Sequence, residues 1–531
     1  MSAKRWLFLT HRWLGVLLCA FFAMWFVSGV VMMYVGYPKL TEAERLQHLP
    51  VLEGAAGWLA PRDALAAAGV AGPLKDLRLA AASGGRAVYL ATAADEAAGP
   101  RRGRPAAVVI DAASGERLPA ADRDRALASA AAYAGAGVPL AHQGSIGEDA
   151  FTHSRALDAH RPLHVVQVGD AAGTRLYVSS RTGEVVRDAT SAERGWNYAG
   201  AWIHWLYPFR GNLFDRWWAD IVNGLSVAGI ALTITGTVVG LMRWRFGRPY
   251  RSGARTPYPG ALMRWHHVSG LLFAAVTLTW IFSGLMSMNP LRMFDSGAPA
   301  LREAAMHEGR LQAEALGTAP AALLAAAGPG VRELRWVRSL GADRVLAQPA
   351  AGRPLVLDAA QARPASVDRE ALRAAAAALV GAPVVRTEWL TAYDTHYYAR
   401  AAHTMTGGTD KPLPALRVVF GDAAGTWVHL DPHTGLVIGR SDTLRRTSRW
   451  LFAMLHSWDW LPLLERRPLW DAVLVALSLG GAALSLTGVV VGWRRLVRPL
   501  QPRRRQAAEH QHTPRNSEAA VPTSTLGRAG R

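Results

Sequence analysis

Four histidines recur at two kinds of position, and their spacing suits a metal-centred redox site. His11 stands four residues before Gly15 and farther upstream of Ser28-Gly29. His266 stands at the same distances from Gly270 and Ser283-Gly284. His204 and His456 share a second frame, each lying the same distance before a Thr-Gly pair, Thr235-Gly236 and Thr487-Gly488. Two trans imidazoles fit a six-coordinate haem iron, whose other four ligands come from the porphyrin. Iron held this way has no open position, so it moves electrons instead of binding oxygen. A catalytic zinc usually takes three protein ligands, and the apolar stretches around these residues hold no acidic partner beyond Asp220 at one end.

The elements that must position them are written twice. Gly169-Asp170-Ala171-Ala172-Gly173-Thr174 returns letter for letter as Gly421-Asp422-Ala423-Ala424-Gly425-Thr426. The match continues without a gap through Thr182-Gly183 and Thr434-Gly435 to the two Thr-Gly pairs. Stretches 6–34, 219–242, 268–288 and 472–493 are long and apolar enough to cross a bilayer, which needs about 20 residues each. His11 and His266 begin the odd stretches, with a glycine one helical turn deeper on the same face. That glycine leaves room for a flat macrocycle. His204 and His456 precede the even stretches, among aromatic residues suited to a membrane interface. The expectation is one pair at each membrane face, His11 with His266 and His204 with His456, and two haem groups b. A single histidine at a helix end often does no more than cap carbonyls. Ionisable residues at membrane depth, however, are rare and usually functional. His267 competes with His266, and the repeat spacing favours His266. Gly236-x₃-Gly240 and Gly488-x₃-Gly492 read as close helix-packing motifs.

The 531-residue chain carries a net charge of +19, which could suggest nucleic acid. The basic residues lie instead before the first stretch, in the link 244–262 and after the last stretch. Those are the short segments counted by the positive-inside rule. This places both termini and the link in the cytoplasm, and segments 36–200 and 290–448 outside, in a bacterial periplasm. Arg12, Arg264, Arg210 and Arg216 are candidate propionate partners as well as topology anchors. The first stretch is too long for a signal peptide, and no small-residue cleavage site follows it, so it reads as retained. The single cysteine, Cys19, excludes intrachain disulfides, covalent haem attachment through paired cysteines, and cysteine-ligated clusters. No phosphate loop or dinucleotide fingerprint stands out, so electrons must come from a quinol or a separate cytoplasmic donor.

Each outer segment reads as two α+β units, an alanine-rich helix followed by short strands and a Ser/Thr-Gly turn. The helices are expected at 61–68, 122–133, 320–327 and 368–379. Paired modules of this kind, inserted between four spans with His-x₃-Gly at the odd ones, resemble the PepSY-associated transmembrane family. The resemblance covers roughly residues 4–498. It implies a duplicated four-helix membrane bundle with two periplasmic α+β insertions. The parts are a first span 6–34, a module pair 36–200, and an interfacial segment with second span 201–243. The link 244–262, a third span 263–288, and a second module pair 290–448 follow. An interfacial segment with fourth span 449–494 and a disordered tail 499–531 complete the chain. The family includes ferric-siderophore reductases carrying haem b, which implies an oxidoreductase that reduces a periplasmic ferric chelate and releases its iron. Two alternatives remain at this point: the same electron path serving another periplasmic acceptor, or a haem-free membrane regulator that binds peptides. His160 with His164, or His396 with His403, are the outer histidines that could touch an iron chelate.

Overall fold

The computed structural model describes residues 2–94, 107–400 and 411–497. The tail and His403 lie outside the described residues.

Three helices are long and apolar enough to cross a membrane: Ala3–Tyr34, the run Asp215–Arg243, and Leu469–Val497. Their outward faces carry exposed Leu17, Val27, Ile234, Leu479 and Leu486. An apolar outer surface on an apolar helix is what lipid contact requires. The third expected stretch is not one straight helix. It divides into Ala261–Leu272 and Ala274–Ser287, bent by 64°. The break falls at Phe273, whose ring packs over Gly480 so closely that a Cβ there would sit 2.0 Å away. The bend needs no proline, and Phe273 keeps its own helical bonds, its N–H to Ser269 O at 2.8 Å and its carbonyl from Thr277 N–H at 3.0 Å. Phe26 covers the adjacent Gly481 in the same way, at 2.2 Å from a Cβ. Small residues on Leu469–Val497 thus admit aromatic rings from two neighbours into the bundle core.

All three sheets of the outer part are antiparallel. Strands β1 (Pro73–Ser83), β2 (Arg86–Ala93) and β3 (Val108–Asp111) come from the first outer segment. So do β4 (Leu140–Ile146), β5 (Leu163–Val168), β6 (Arg175–Ser179) and β7 (Val185–Ala189). The second segment supplies β8 (Leu311–Gln312), β9 (Val331–Ser339), β10 (Ala342–Pro349) and β11 (Leu355–Asp358). Its last four strands are β12 (Val384–Leu390), β13 (Ala415–Phe420), β14 (Trp427–Leu430) and β15 (Val437–Ser441).

The first modules of the two segments share one sheet, ordered β11-β10-β9-β1-β2-β3, with β8 on β1. The join is the β1–β9 pairing, Leu77 opposite Trp336 and Leu79 opposite Leu334. Helices Pro61–Ala67 and Pro320–Ala327 pack Leu65 and Leu323 onto this sheet in a single core. Behind the join, buried Glu333 accepts from Arg45 at 2.9 Å and Arg78 at 3.2 Å. The other two sheets are separate and alike, ordered β4-β5-β6-β7 and β12-β13-β14-β15. Each is covered by one helix, Arg123–Ala134 or Arg369–Ala376. An aspartate begins each, Asp122 or Asp368, and accepts from a first-turn N–H. That satisfies a donor the helix itself leaves open. The expected outer helices therefore form where alanine and capping residues favour them.

After β7 and β15 the chain runs back to the membrane helices through matching segments. Ser191–Asn197 leads into a π-helical turn, Tyr198–Trp202, and Thr443–Arg449 leads into Trp450–Met454. Both runs end in a non-glycine residue with left-handed backbone, Leu206 (φ 54°) and Trp458 (φ 48°). His204 and His456 therefore sit on their own short helical runs, set off from the long helices by a turn.

Candidate functional site

The structure brings the four histidines together in two pairs. The rings of His11 and His266 lie 6.5 Å apart between centroids, and those of His204 and His456 lie 6.2 Å apart. The outer pair is at the sheet-bearing end of the bundle, and the inner pair is toward the opposite end. Ser28 touches His204, and seventeen residues separate it from His11 along one helix. At about 1.5 Å per residue that is roughly 25 Å.

Each ring is held by its Nδ1. Ser28 donates its hydroxyl to the Met24 carbonyl at 2.7 Å, so its oxygen accepts from His204 Nδ1–H at 2.9 Å. Ser283 donates to Trp280 O and accepts from His456 Nδ1–H at 3.0 Å. Thr487 donates to Leu484 O and accepts from His266 Nδ1–H at 3.0 Å. His11 Nδ1–H meets Leu232 O at 3.4 Å. With the proton on Nδ1, each Nε2 keeps its lone pair, and none has a hydrogen-bond partner among the described residues. Fixing the tautomer by a bond to the far nitrogen is the usual support for a metal-bound histidine.

Glycines make the space. A Cβ on Gly236 would meet His11 Cε1 at 2.6 Å. One on Gly488 would meet Cys19 Sγ at 2.5 Å and His266 Cε1 at 3.4 Å. Gly29 and Gly284 face His204 and His456 at 3.6 and 3.8 Å. The Ser-Gly and Thr-Gly pairs are thus ring supports: the serine or threonine holds or borders the ring's anchor, and the glycine clears its flank. Gly15 and Gly270, the glycines the spacing singled out, face Leu232 and Leu484 at ordinary contact distances of 3.7 and 3.6 Å. Every support comes from the ring's own half of the chain, while every pair unites the two halves.

His267 is excluded from the inner pair by its bonding. Its Nδ1 faces Thr256 Oγ1 and its Nε2 faces Gly240 O, both at 2.8 Å. It pins the link to the bundle. Of the candidate arginines, Arg210 lies over Tyr207 and Trp218, with its guanidinium carbon 5.1 and 5.0 Å from their ring centres. Arg216 lies on Trp217 at 4.9 Å. His164 is buried, with Nε2 donating to Ala121 O and Nδ1 facing His142 and Ser145. His160 Nδ1 faces Ser179 Oγ at 3.2 Å. These two are parts of the module fold.

Among the described residues, no three His, Cys, Asp or Glu side chains converge as a metal-ligand set. The paired rings therefore offer an ion two protein ligands and no more. Two imidazoles on opposite sides of an iron, at about 2 Å per Fe–N bond, would place their centroids roughly 6 Å apart. Both observed separations match that spacing, so the donor set fits a haem. These features define a membrane protein with paired histidines at two depths and sheet-rich insertions. The chain matches the sequence profile of the PepSY-associated TM region over residues 8–379 and belongs to that family. No curated protein matches it.

Proposed function

We propose that this chain is a di-haem b oxidoreductase of a bacterial inner membrane, carrying electrons outward to a periplasmic ferric chelate. In this reading the gene is an internal duplication, and the bent helix pair serves as the third of four spans. Termini and link are cytoplasmic, as the arginine distribution requires. His11 with His266 would hold one haem, and His204 with His456 the other. The observation that carries the reading is that the four rings form two pairs with centroids about 6 Å apart, each ring anchored through Nδ1 and with no Nε2 partner among the described residues. When bound, the haem groups supply one-electron redox chemistry at iron with no open position.

The protein's own part is to orient the rings, fix their tautomers and exclude water. The electron source is a quinol or a cytoplasmic donor. One quinol oxidised to quinone gives up two electrons and two protons, enough to reduce two ferric ions. Ferrous iron binds hard oxygen ligands more weakly, so reduction releases it from a siderophore. The ferric siderophore as acceptor rests on family resemblance.

The reduced-minus-oxidised visible spectrum of purified protein, with a haem-to-protein ratio, tests the proposal. A ratio near two is expected, falling to one in His456→Ala with the inner haem retained. A haem-free protein would overturn it and favour the regulator reading. Equal haem content in wild type and variant would overturn the pairing.

A further inference from the structure

We propose that the membrane-proximal module β12–β15 contains a binding site for a small oxygen-rich anion, such as a polycarboxylate, formed by Arg417, Arg449 and His396 beside Trp427. Naming that anion as the electron acceptor rests on the function proposed above; the site itself does not.

Arg417 is 3% exposed, in the middle of β13. Its Nε donates to His429 Nε2 at 2.9 Å and its Nη1 meets Asp394 at 2.6 Å. Its Nη2 is buried without a hydrogen-bond partner among the described residues. Arg449 donates through Nε to Thr395 O and through Nη1 to the Tyr398 hydroxyl, both at 2.6 Å. Its Nη2 is likewise buried and unpartnered among the described residues, and so is Nδ1 of His396, the residue next to Thr395. The His396 ring stands 5.4 Å from Trp427 and 6.5 Å from Trp450. The guanidinium carbons of Arg417 and Arg446 lie 5.0 and 4.1 Å from the Trp427 ring centre. Trp450 is half exposed, so the cluster reaches the surface.

Buried polar nitrogens are normally satisfied, and three left open in one small region, two of them guanidinium donors, point to an occupant. The charges agree. Burial lowers the pKa of His396, and Arg449, Arg446 and Arg417 lower it further against Asp394. Burial and Arg449 lower that of Lys411. Asp394 is engaged by Arg417 and Asp459 by Arg449 and Arg400, while Glu388 Oε2 lies 3.5 Å from Arg417 Nη1 without a hydrogen bond among the described residues. A guanidinium presents parallel N–H groups that match a carboxylate, which favours a ligand with charged planar oxygens. Arg449 precedes His456 by seven residues on one helical run, about 10 Å along its axis. An anion held here lies close to the outer histidine pair.

The test is a titration of the full-length protein in detergent with citrate, ferric citrate and the uncharged triethyl citrate, read by tryptophan fluorescence and calorimetry. One citrate per chain is expected, weakened at least ~10-fold in Arg449→Gln and in His396→Gln, with triethyl citrate silent. His396 offers a variant that breaks no side-chain hydrogen bond among the described residues, so its loss of binding cannot be ascribed to unfolding when the melting temperature is kept. Absence of saturable citrate binding, or equal binding in wild type and both variants, would overturn the site. The haem spectrum of the same samples keeps the two proposals apart. Citrate binding without haem sustains the site and removes the electron-transfer reading; haem without citrate binding does the reverse.

Discussion

In the middle of β5 the first half of the chain places Val165, opposite Tyr177 on β6. In the second half, 252 residues later, Arg417 stands opposite His429 at the same register of β13 and β14. All four side chains are buried. In the first module the tyrosine hydroxyl reaches Asp149 at 2.7 Å and the valine packs with Phe151 and Leu163. In the second the same two sites carry a cation and an imidazole, braced by Asp394 and stacked on Tyr397. The loop before the central strand differs as well, 147–162 in one module and 391–414 in the other. The longer loop carries Asp394, His396, Tyr398 and Arg400. By contrast, the membrane supports Ser28/Ser283 and Gly236/Gly488 are the same residue types in both halves. The halves agree where each must supply one member of a pair. They differ where a single copy of a site suffices.

The strongest way to break this comparison is to convert one module into the other. Arg417→Val leaves His429 without its donor and Asp394 without its cation. Removing the buried partner of a charge pair costs up to about 3–5 kcal/mol. Adding His429→Tyr restores the apolar–aromatic pair of the first module. Most of the loss should be recovered, because Asp394 is exposed enough to regain water. Denaturant unfolding of the detergent-solubilised protein measures both. A double variant as unstable as the single one would show that the modules are not interchangeable at this register.

A smaller effect comes from pH. Burial, with the charge of Arg417 beside it, lowers the pKa of His429 from 6.5 to about 4. The folded state therefore binds fewer protons than the unfolded state between those values. By linkage, stability conferred by neutral His429 is complete above about pH 6.5 and is lost progressively as pH falls toward 4. The span corresponds to about 3 kcal/mol. Melting temperatures from pH 7 to 4 should drop more steeply in wild type than in Arg417→Val/His429→Tyr, since Tyr177 and its counterpart do not titrate there. Parallel curves would assign the acid sensitivity to other groups.

The pairing of the four rings was legible in the sequence because its parts are local and repeated. His11, His266, His204 and His456 and the Ser-Gly and Thr-Gly pairs all stand in two aligned copies. Three features left no such mark. The bend at Phe273 has no proline to announce it, and the glycine its ring covers, Gly480, is on a helix some two hundred residues away. The β1–β9 join is a non-local pairing, and periodicity reports which face a strand buries but not which strand it meets. The open nitrogens of Arg417, Arg449 and His396 come together only through the fold. His267 was ambiguous for the opposite reason: it is adjacent to a ring that faces its partner, and only its two hydrogen bonds tell them apart.

The smallest expected effect sharpens the comparison within the membrane. His204 Nδ1 has Ser28 Oγ at 2.9 Å, with the Trp25 backbone carbonyl as a more distant second acceptor. His456 Nδ1 has two, Ser283 Oγ at 3.0 Å and Trp280 O at 3.2 Å. The equivalent tryptophan, Trp25, also donates its Nε1 to the His204 backbone carbonyl at 2.9 Å. Ser28→Ala should therefore leave the His204 N–H with only the more distant Trp25 carbonyl, costing about 1–2 kcal/mol. Ser283→Ala should cost less than about half of that, because the ring keeps the Trp280 carbonyl. Thermal unfolding and haem retention during detergent dialysis measure the difference. Equal losses would mean that the carbonyl does not hold the ring and that both halves depend on their serine alike. A larger loss in Ser28→Ala would mean that the two halves, identical in the residues that support the outer rings, still differ in how far each ring can tolerate losing one.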